Sequence, residues 1–288
     1  LCGFGDQTAV SAQTRETGWV RVEVMEPFGA RISGLDPARP PGDDDVAALR
    51  AAMVAHHLLV AHVPGLTPDA QSGIAAAFGP LVDESRNGDG WTLVSDRADG
   101  VLREGRLLFH SDLAFTPEPL TAISLYALEV PPGGTSTSFA DATRAARHLT
   151  PELLAAAAGR SALHCYPLTE ARGDERYRVA NLDEGAPRAE HPVLWAHPAT
   201  GETILYVNAM QTDSIVGLTE ADSEALLAQL WATLYEPGNV YRHDWRVGDL
   251  VVWDNLAVQH ARGDVKPGDG RTLRRVPVGT LAVKLRGA

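Results

Sequence analysis

Many short apolar runs separated by turn signals, with few helix-like stretches between them, predict a mainly β protein with α elements packed outside, a jelly roll or barrel. The 288 residues are 44% hydrophobic and 22% charged, a composition able to bury a sizeable core. No internal repeat and no linker divides the sequence. The expected organisation is a loose segment over 1–19 followed by a single domain over 20–288.

The polar stretch 7–17 has no apolar periodicity and reads as loose. Strand-like runs follow at 20–24 and 30–32. Between Asp43 and Val63 the apolar residues Val46, Leu49 and Met53 recur at helical spacing, and Leu58-Leu59-Val60 then reads as an apolar strand. Thr67-Pro68-Asp69 is a helix start, with Thr67 as N-cap and Pro68 in the first helical position. That helix should run to about Phe78 and stop at Gly79-Pro80. The stretch 83–106 is polar, glycine-rich and too long for an idle connection, which suggests a lid or binding loop. Short strands are expected at 107–113, 122–127, 136–139, 162–166, 192–196, 203–207, 249–253 and 274–283. Pro131-Pro132-Gly133-Gly134 and Pro198-Ala199-Thr200-Gly201 provide turns between them. Helices are expected near 140–159 and 219–235, the latter with Leu226, Leu227 and Leu230 on its apolar face. The polar gap 168–190 reads as mobile.

Thirty-seven acidic against 25 basic residues leave a net charge of −12. An acidic surface repels phosphate backbones, which argues against a nucleic-acid partner. No run approaches the roughly 18 apolar residues of a membrane-crossing helix. Residues 1–19 lack the basic start and apolar run of a signal peptide. Cys2 and Cys165 cannot build a disulfide framework or a cysteine-rich metal site, so a cytoplasmic location is expected. There is no His-Glu-x-x-His, Walker loop, Gly-x-Ser-x-Gly or Gly-x-Gly-x-x-Gly, so zinc-protease, P-loop, α/β-hydrolase and dinucleotide readings have no foothold. The stretch from His260 onward departs from the overall acidity. Arg262, Lys266, Arg271, Arg274, Arg275, Lys284 and Arg286 stand there against Asp264 and Asp269. Charge alone leaves a solvated basic tail and a small-anion pocket equally open.

His110-Ser111-Asp112 stands out inside an apolar, strand-like run. On a strand, residues two apart share a face, roughly 7 Å apart at the backbone, so His110 and Asp112 can converge on one ion. A second histidine from a distant strand would complete a two-His, one-carboxylate face. Such a face leaves coordination positions open for oxygen and a chelating substrate, as in non-haem Fe(II) oxygenases. This composition yields about one His-x-Asp/Glu triplet by chance, so the triplet alone proves nothing.

The surrounding series carries more. Phe115, Pro117-Glu118-Pro119, the Pro-Pro-Gly-Gly turn and Phe139-Ala140-Asp141 follow the triplet. Trp253-Asp254-Asn255, His260, Arg271 and Arg275 come much later. Gly29 to Asp36, the 66–81 helix, and the block from His191-Pro192-Val193 through Leu205-Tyr206-Val207-Asn208 to Gly217-Leu218 extend it. The ordered series resembles the taurine dioxygenase / 2,4-dichlorophenoxyacetate dioxygenase family of Fe(II)- and 2-oxoglutarate-dependent oxygenases, over about residues 20–283. The resemblance implies a double-stranded β-helix, the jelly-roll form, with helices outside. It implies that His110, Asp112 and His260 hold Fe(II), and that 2-oxoglutarate is a co-substrate whose distal carboxylate pairs with Arg271. A hydroxyl helps Arg271: Thr137 when counted back from Phe139-Ala140-Asp141, Ser136 when counted forward from Gly133-Gly134. Arg275 matches the family's second arginine, near both iron and substrate. Arginine suits a carboxylate because its planar fork donates two parallel hydrogen bonds. Residues 271 and 275 share a strand face and Arg274 takes the other, but Val276 and Val278 lie on the Arg274 side, so alternation alone does not decide.

The implied reaction is oxidation, by default hydroxylation, of a substrate C–H bond, with 2-oxoglutarate converted to succinate and CO2. Halogenation is disfavoured because Asp112 takes the position chloride needs. Arg275, with Arg86, Arg103 or Arg106 of the lid-like loop, implies a small substrate carrying a carboxylate or sulfonate. Departures from the family pattern are Phe109 where tryptophan is usual, Ser111 where threonine is common, and one extra residue between His260 and Arg271. Residues 81–87 offer no match to the taurine-binding histidine. A non-catalytic jelly-roll binding protein and a zinc hydrolase on the same two-His, one-Asp face are the rival readings, and neither accounts for the arginine clamp. His56, His57 and His62 are expected to pack or face solvent, His164, His191 and His197 to be structural, His243 beside Asp244 to lie in a surface turn, and Trp253 to be core. Homo-oligomer formation is left open.

Overall fold

The computed structural model describes residues 20–85, 88–96, 105–168, 173–266 and 268–280. The segment expected to be loose, 1–19, lies outside these residues, as do Arg86 and Arg103. An antiparallel hairpin of β1 (Arg21–Val24) and β2 (Ala30–Ser33) comes first. It turns at Gly29, whose φ is 94° and where a Cβ would stand 3.1 Å from the Leu58 carbonyl oxygen. α1 (Asp43–His56) carries three aspartates in its first turn, at the positive end of the helix dipole, and buries Leu49, Ala52 and Met53. His57 ends it in the left-handed conformation, and the chain continues into β3 (Leu58–His62). α2 (Pro68–Ala76) begins as the sequence predicts: Thr67 Oγ1 accepts the Ala70 N–H and Pro68 takes the first position.

The lid-like stretch is not structureless, since β4 (Thr92–Ser95) leaves it to join a sheet edge. β5 (Leu107–His110) is shorter than the strand expected over 107–113, because the chain turns after it and places Leu113 at a φ of 60°. β6 (Ala122–Glu129) and β7 (Ser136–Asp141) flank the Pro-Pro-Gly-Gly turn. The helix expected over 140–159 is divided. Asp141 ends β7 and caps α3 (Ala142–Arg147), and Thr150 with Pro151 starts α4 (Pro151–Ala157). Proline lacks the N–H that a continuous helix needs.

β8 (Ser161–Cys165), β9 (Arg188–Pro192), β10 (Leu194–Ala196), β11 (Thr203–Leu205) and β12 (Thr212–Ile215) follow. α5 (Glu220–Leu234), β13 (Val240–Asp244), β14 (Asp249–Asp254), β15 (Val258–Arg262) and β16 (Thr272–Val278) complete the described chain. β9, most of it inside the gap expected to be mobile, and β12, β13 and β15 lack the apolar run that marks a strand. Their polar residues are instead accommodated by partners: within β15, Gln259 Nε2 donates to the Val207 carbonyl at 2.7 Å.

β1-β2-β3-β14-β6-β16-β4 form a seven-stranded sheet, and β13-β7-β15-β5 a four-stranded one. Leu58, Val60, Ile123, Leu125, Val251, Trp253 and Leu273 of the large sheet enter one core with Phe139 and Val258 of the small sheet. The Phe139 and Trp253 rings meet edge-on at 5.3 Å. The alternate residues Leu59, Ala61, Tyr126, Leu250 and Val252 pack with residues of α1 and α2. Two facing sheets with helices outside give the predicted jelly roll. The central strands of the large sheet are therefore buried on both faces, which explains the ambiguous alternation in β16. Val276 and Val278 pack with Ala75 of α2, and Arg274 donates to Gln71 Oε1 and the Leu66 carbonyl. Arg275 takes the opposite face.

Candidate active site

Strand register brings the two candidate ligand histidines together. His260 of β15 is the direct cross-strand partner of His110 on β5, and their ring centroids are 4.1 Å apart. Asp112 reaches them differently from the expectation of a continuous strand. It sits in the turn after β5, with Oδ1 3.3 Å from His110 Nε2 and 3.8 Å from His260 Nε2. One ligand atom from each residue lies within 4.8 Å of the other two. His110 Nδ1 donates to the Leu108 carbonyl at 2.8 Å, which fixes the tautomer and leaves Nε2 with its lone pair. Burial first, then the neighbouring His110, pulls His260 down to about 3, against the attraction of Asp112. Burial alone would raise Asp112, yet Arg275 foremost, then His110 and His260, hold it well below the usual carboxylate range. The donor set is thus one carboxylate with imidazole nitrogens, the set a hard-to-borderline divalent metal takes.

Asn255 fixes the Asp112 turn, a role the sequence reading missed. Its Oδ1 accepts the Asp112 N–H at 2.9 Å, and its Nδ2 donates to the carbonyls of Asp112 at 2.9 Å and Leu120 at 2.8 Å. The signal was a polar Asp254-Asn255 pair set between apolar Trp253 and Leu256. Trp253 is core, as expected, and packs 4.8 Å from the His260 ring. Phe109, where tryptophan was expected, stacks on Tyr235 at 4.4 Å.

Arg271 is 2% exposed, and its Nε has no hydrogen-bond partner among the described residues. Burial first, then the like charge of Arg262, pulls its guanidinium down to about 9, with Asp96 opposing. A buried cation in that condition calls for an anion. Arg262 is the register partner of Thr137. Thr137 shares the inward face of β7 with Phe139, whereas Ser136 takes the other face beside Gly263. Thr137 Oγ1 accepts the Trp245 Nε1–H at 2.9 Å, which turns its own O–H toward a further acceptor. These features fit the distal carboxylate of a 2-oxo diacid.

Arg275 is engaged on both sides. Its Nη1 donates to Asp112 Oδ2 at 2.6 Å, its Nε to Glu84 Oε2 at 3.0 Å and its Nη2 to Glu84 Oε1 at 3.5 Å. Glu84 was not singled out from sequence, since nothing in that polar stretch says which acid turns inward. Arg106 is exposed, just ahead of β5, unlike the buried Arg271 and the half-buried Arg275. An aromatic wall completes the surroundings: Tyr166 stacks on Phe115 at 4.5 Å and meets Tyr177 edge-on at 5.4 Å. Burial, then the Asp112 charge, raises the Tyr166 phenol.

The remaining histidines serve structure, with one correction. His243 is not in a surface turn. It is buried on β13, its Nε2 3.2 Å from Asp249, while Asp244 pairs with Arg242. His164 and His191 are buried, His197 Nε2 bonds Asp254 at 2.9 Å, and His57 lies between Asp141 and Glu202.

A jelly roll presenting two imidazoles and one carboxylate, together with a buried guanidinium whose Nε has no hydrogen-bond partner among the described residues, fits a class, the non-haem metal oxygenases that consume a 2-oxo acid. The chain belongs to the family described as Taurine catabolism dioxygenase TauD, TfdA family, whose model matches residues 21–276, and it is a 2-oxoglutarate-dependent dioxygenase. It is 31% identical over 250 residues to the (S)-phenoxypropionate/alpha-ketoglutarate-dioxygenase of Sphingobium herbicidovorans, covering 81% of this chain and 85% of that protein. It is 30% identical over 270 residues to the alpha-ketoglutarate-dependent 2,4-dichlorophenoxyacetate dioxygenase of Cupriavidus pinatubonensis, covering 86% and 93%. It spans only 60% of the pentalenolactone F synthase of Streptomyces arenae, with 34% identity over 185 residues. Among solved structures, AAD-2 in complex with Mn(II) and N-oxalylglycine matches with a TM-score of 0.77 and 25% identity, over 91% of this chain and 97% of that one.

Proposed function

We propose that this enzyme uses Fe(II), held by His110, Asp112 and His260, to hydroxylate a C–H bond of a small organic anion, with 2-oxoglutarate converted to succinate and CO2. Bound iron would supply oxygen activation, and the protein would hold its reactants in place. Arg271 would pair with the distal carboxylate of 2-oxoglutarate, assisted by the Thr137 hydroxyl. Arg275 would lie at the border of metal and substrate, and Phe115 and Tyr166 would face an apolar substrate body. Arg106 would reach the substrate only from the exposed rim.

The observation that carries this reading is the presence in one fold of the His-Asp-His cluster and of Arg271, a buried cation whose Nε lacks a partner among the described residues. A zinc hydrolase or a binding protein has no use for that cation. The names of the relatives, which act on phenoxyalkanoates, support an anionic substrate. Among the described residues no helix is long and apolar enough to cross a membrane, which is compatible with a cytoplasmic, single-domain enzyme working on diffusible small molecules rather than nucleic acid.

The test is the visible spectrum of the protein with Fe(II) and 2-oxoglutarate under strict anaerobiosis. A charge-transfer band is expected, and Arg271→Ala should lose it at the same modest co-substrate concentration. No band, with iron binding shown separately, would favour the zinc or binding-protein reading.

A further inference from the structure

Glu84 is placed by the fold. Leu81 bridges Val278, and the Val82 N–H donates to the Pro277 carbonyl at 3.0 Å, so residues 81–82 run beside the end of β16. Val82 is buried in the main core. Asp83 is exposed and engages Ser85, its carboxylate accepting the Ser85 N–H at 2.9 Å. Glu84, two residues beyond Val82, turns back inward and its side chain is only 20% exposed.

Its two oxygens meet the Nε and Nη2 edge of Arg275, at 3.0 and 3.5 Å. That edge offers the two parallel N–H groups that a carboxylate ligand would use. Asp112 meanwhile holds Nη1 at 2.6 Å from the other side. One guanidinium edge cannot serve two carboxylates at once.

We propose that Glu84 sets the affinity of substrate anions by occupying the Arg275 edge that they would take, so that an anionic substrate binds only by displacing it. The inference rests on the reading of Arg275 as an anion-recognising residue. Glu84 is tethered to the protein, so its effective concentration at Arg275 is high, and a weak monoanion competes poorly. A substrate with further contacts, such as an apolar body against Phe115 and Tyr166, supplies the free energy to displace it. Asp112 keeps the guanidinium in place while its outer edge changes partner. Glu84 therefore lowers affinity for anions in general and leaves discrimination to the rest of the substrate.

The test uses the anaerobic Fe(II)–2-oxoglutarate enzyme titrated calorimetrically with phenoxyacetate and with neutral 2-phenoxyethanol. Glu84→Gln, which keeps the shape but removes the charge, should bind phenoxyacetate about tenfold tighter than the native enzyme and leave 2-phenoxyethanol unchanged. Glu84→Ala should show the same direction, and melting temperatures identify any variant that folds poorly. Phenoxyacetate affinity unchanged or weakened in both variants overturns the proposal. Arg275→Gln separates the two levels. If it weakens phenoxyacetate while the Glu84 variants change nothing, anion recognition stands and the role of Glu84 falls. If it too has no effect, the reading of Arg275 falls with it.

Discussion

Asp112 divides its oxygens, one toward the two histidines and one to Arg275, and its backbone is held on both sides by Asn255. A carboxylate fixed in this way presents a single oxygen to a metal. Asn255→Ala would leave the Asp112 N–H and the carbonyls of Asp112 and Leu120 without their partner. The expected cost is about 2–4 kcal/mol of stability by denaturant unfolding, with about a tenfold or greater loss of metal affinity by titration. Native metal affinity in a folded Asn255→Ala protein would refute the positioning role. At this scale the candidate residues were legible through the resemblance: the fold brings His110, Asp112 and His260 together, Asp112 from a turn rather than from the expected strand, and it buries Arg271. Glu84 and Tyr166 were not, because an acid in a polar stretch and a tyrosine at a strand end look ordinary until the fold turns them inward.

The elements record their own starts and stops, but only where backbone chemistry is special. Thr67-Pro68 was readable as a helix start for that reason, and Thr219 caps α5 in the same way through the Asp222 N–H. Thr219→Ala should cost about 1 kcal/mol in unfolding free energy. Gly73 inside α2 is a sharper case. A Cβ there would stand 2.4 Å from Pro40 Cβ and 3.0 Å from its Cα, neither of which can swing away. Alanine favours a helix by up to about 1 kcal/mol over glycine, yet the clash should outweigh it. Gly73→Ala is expected to be destabilising by about 1–2 kcal/mol net, and a raised melting temperature would refute the packing argument. Strands were legible when both faces are apolar, as in β6 and β14. β9, β13 and β15 were not, since they alternate charged or amide residues whose partners come from elsewhere in the fold.

The whole molecule is laced by a second ionisable cluster. His57 follows α1, Asp141 ends β7 and Glu202 lies ahead of β11, so their contacts tie both sheets to the β10–β11 hairpin. Burial opposes charge on His57, but Asp141 above all, then Asp254 and Glu202, outweigh it and raise its pKa above the ordinary 6.5. The folded protein thus holds this proton more tightly than the unfolded chain. The contribution is complete below the ordinary value and is lost as pH rises through the raised one. Asp141 is shifted the other way: burial opposes, but His57 foremost lowers it. Its contribution is present above the ordinary 3.8 and lost as pH falls through the lowered value. His57→Asn, with a side chain that tolerates the left-handed backbone, should therefore cost most near pH 6 and least near pH 9, as read from urea midpoints. An equal penalty at both would refute the charge linkage. A jelly roll or barrel was legible from strand and turn spacing, and the resemblance narrowed it to the jelly roll. That the central strands of its large sheet are covered on both faces was not, because burial of a sheet's outer face depends on where distant helices come to rest.

That double covering has an evolutionary consequence for β16. On the proposed reading, Arg275 of that strand and Arg271 just ahead of it would answer to the chemistry, and Arg274, Val276 and Val278 to the scaffold. Substitutions at one set can explore new substrates while the other set keeps the protein foldable. A lineage could thus diversify its reactions at positions 271 and 275 while Leu273, Arg274, Val276 and Val278 keep the scaffold foldable.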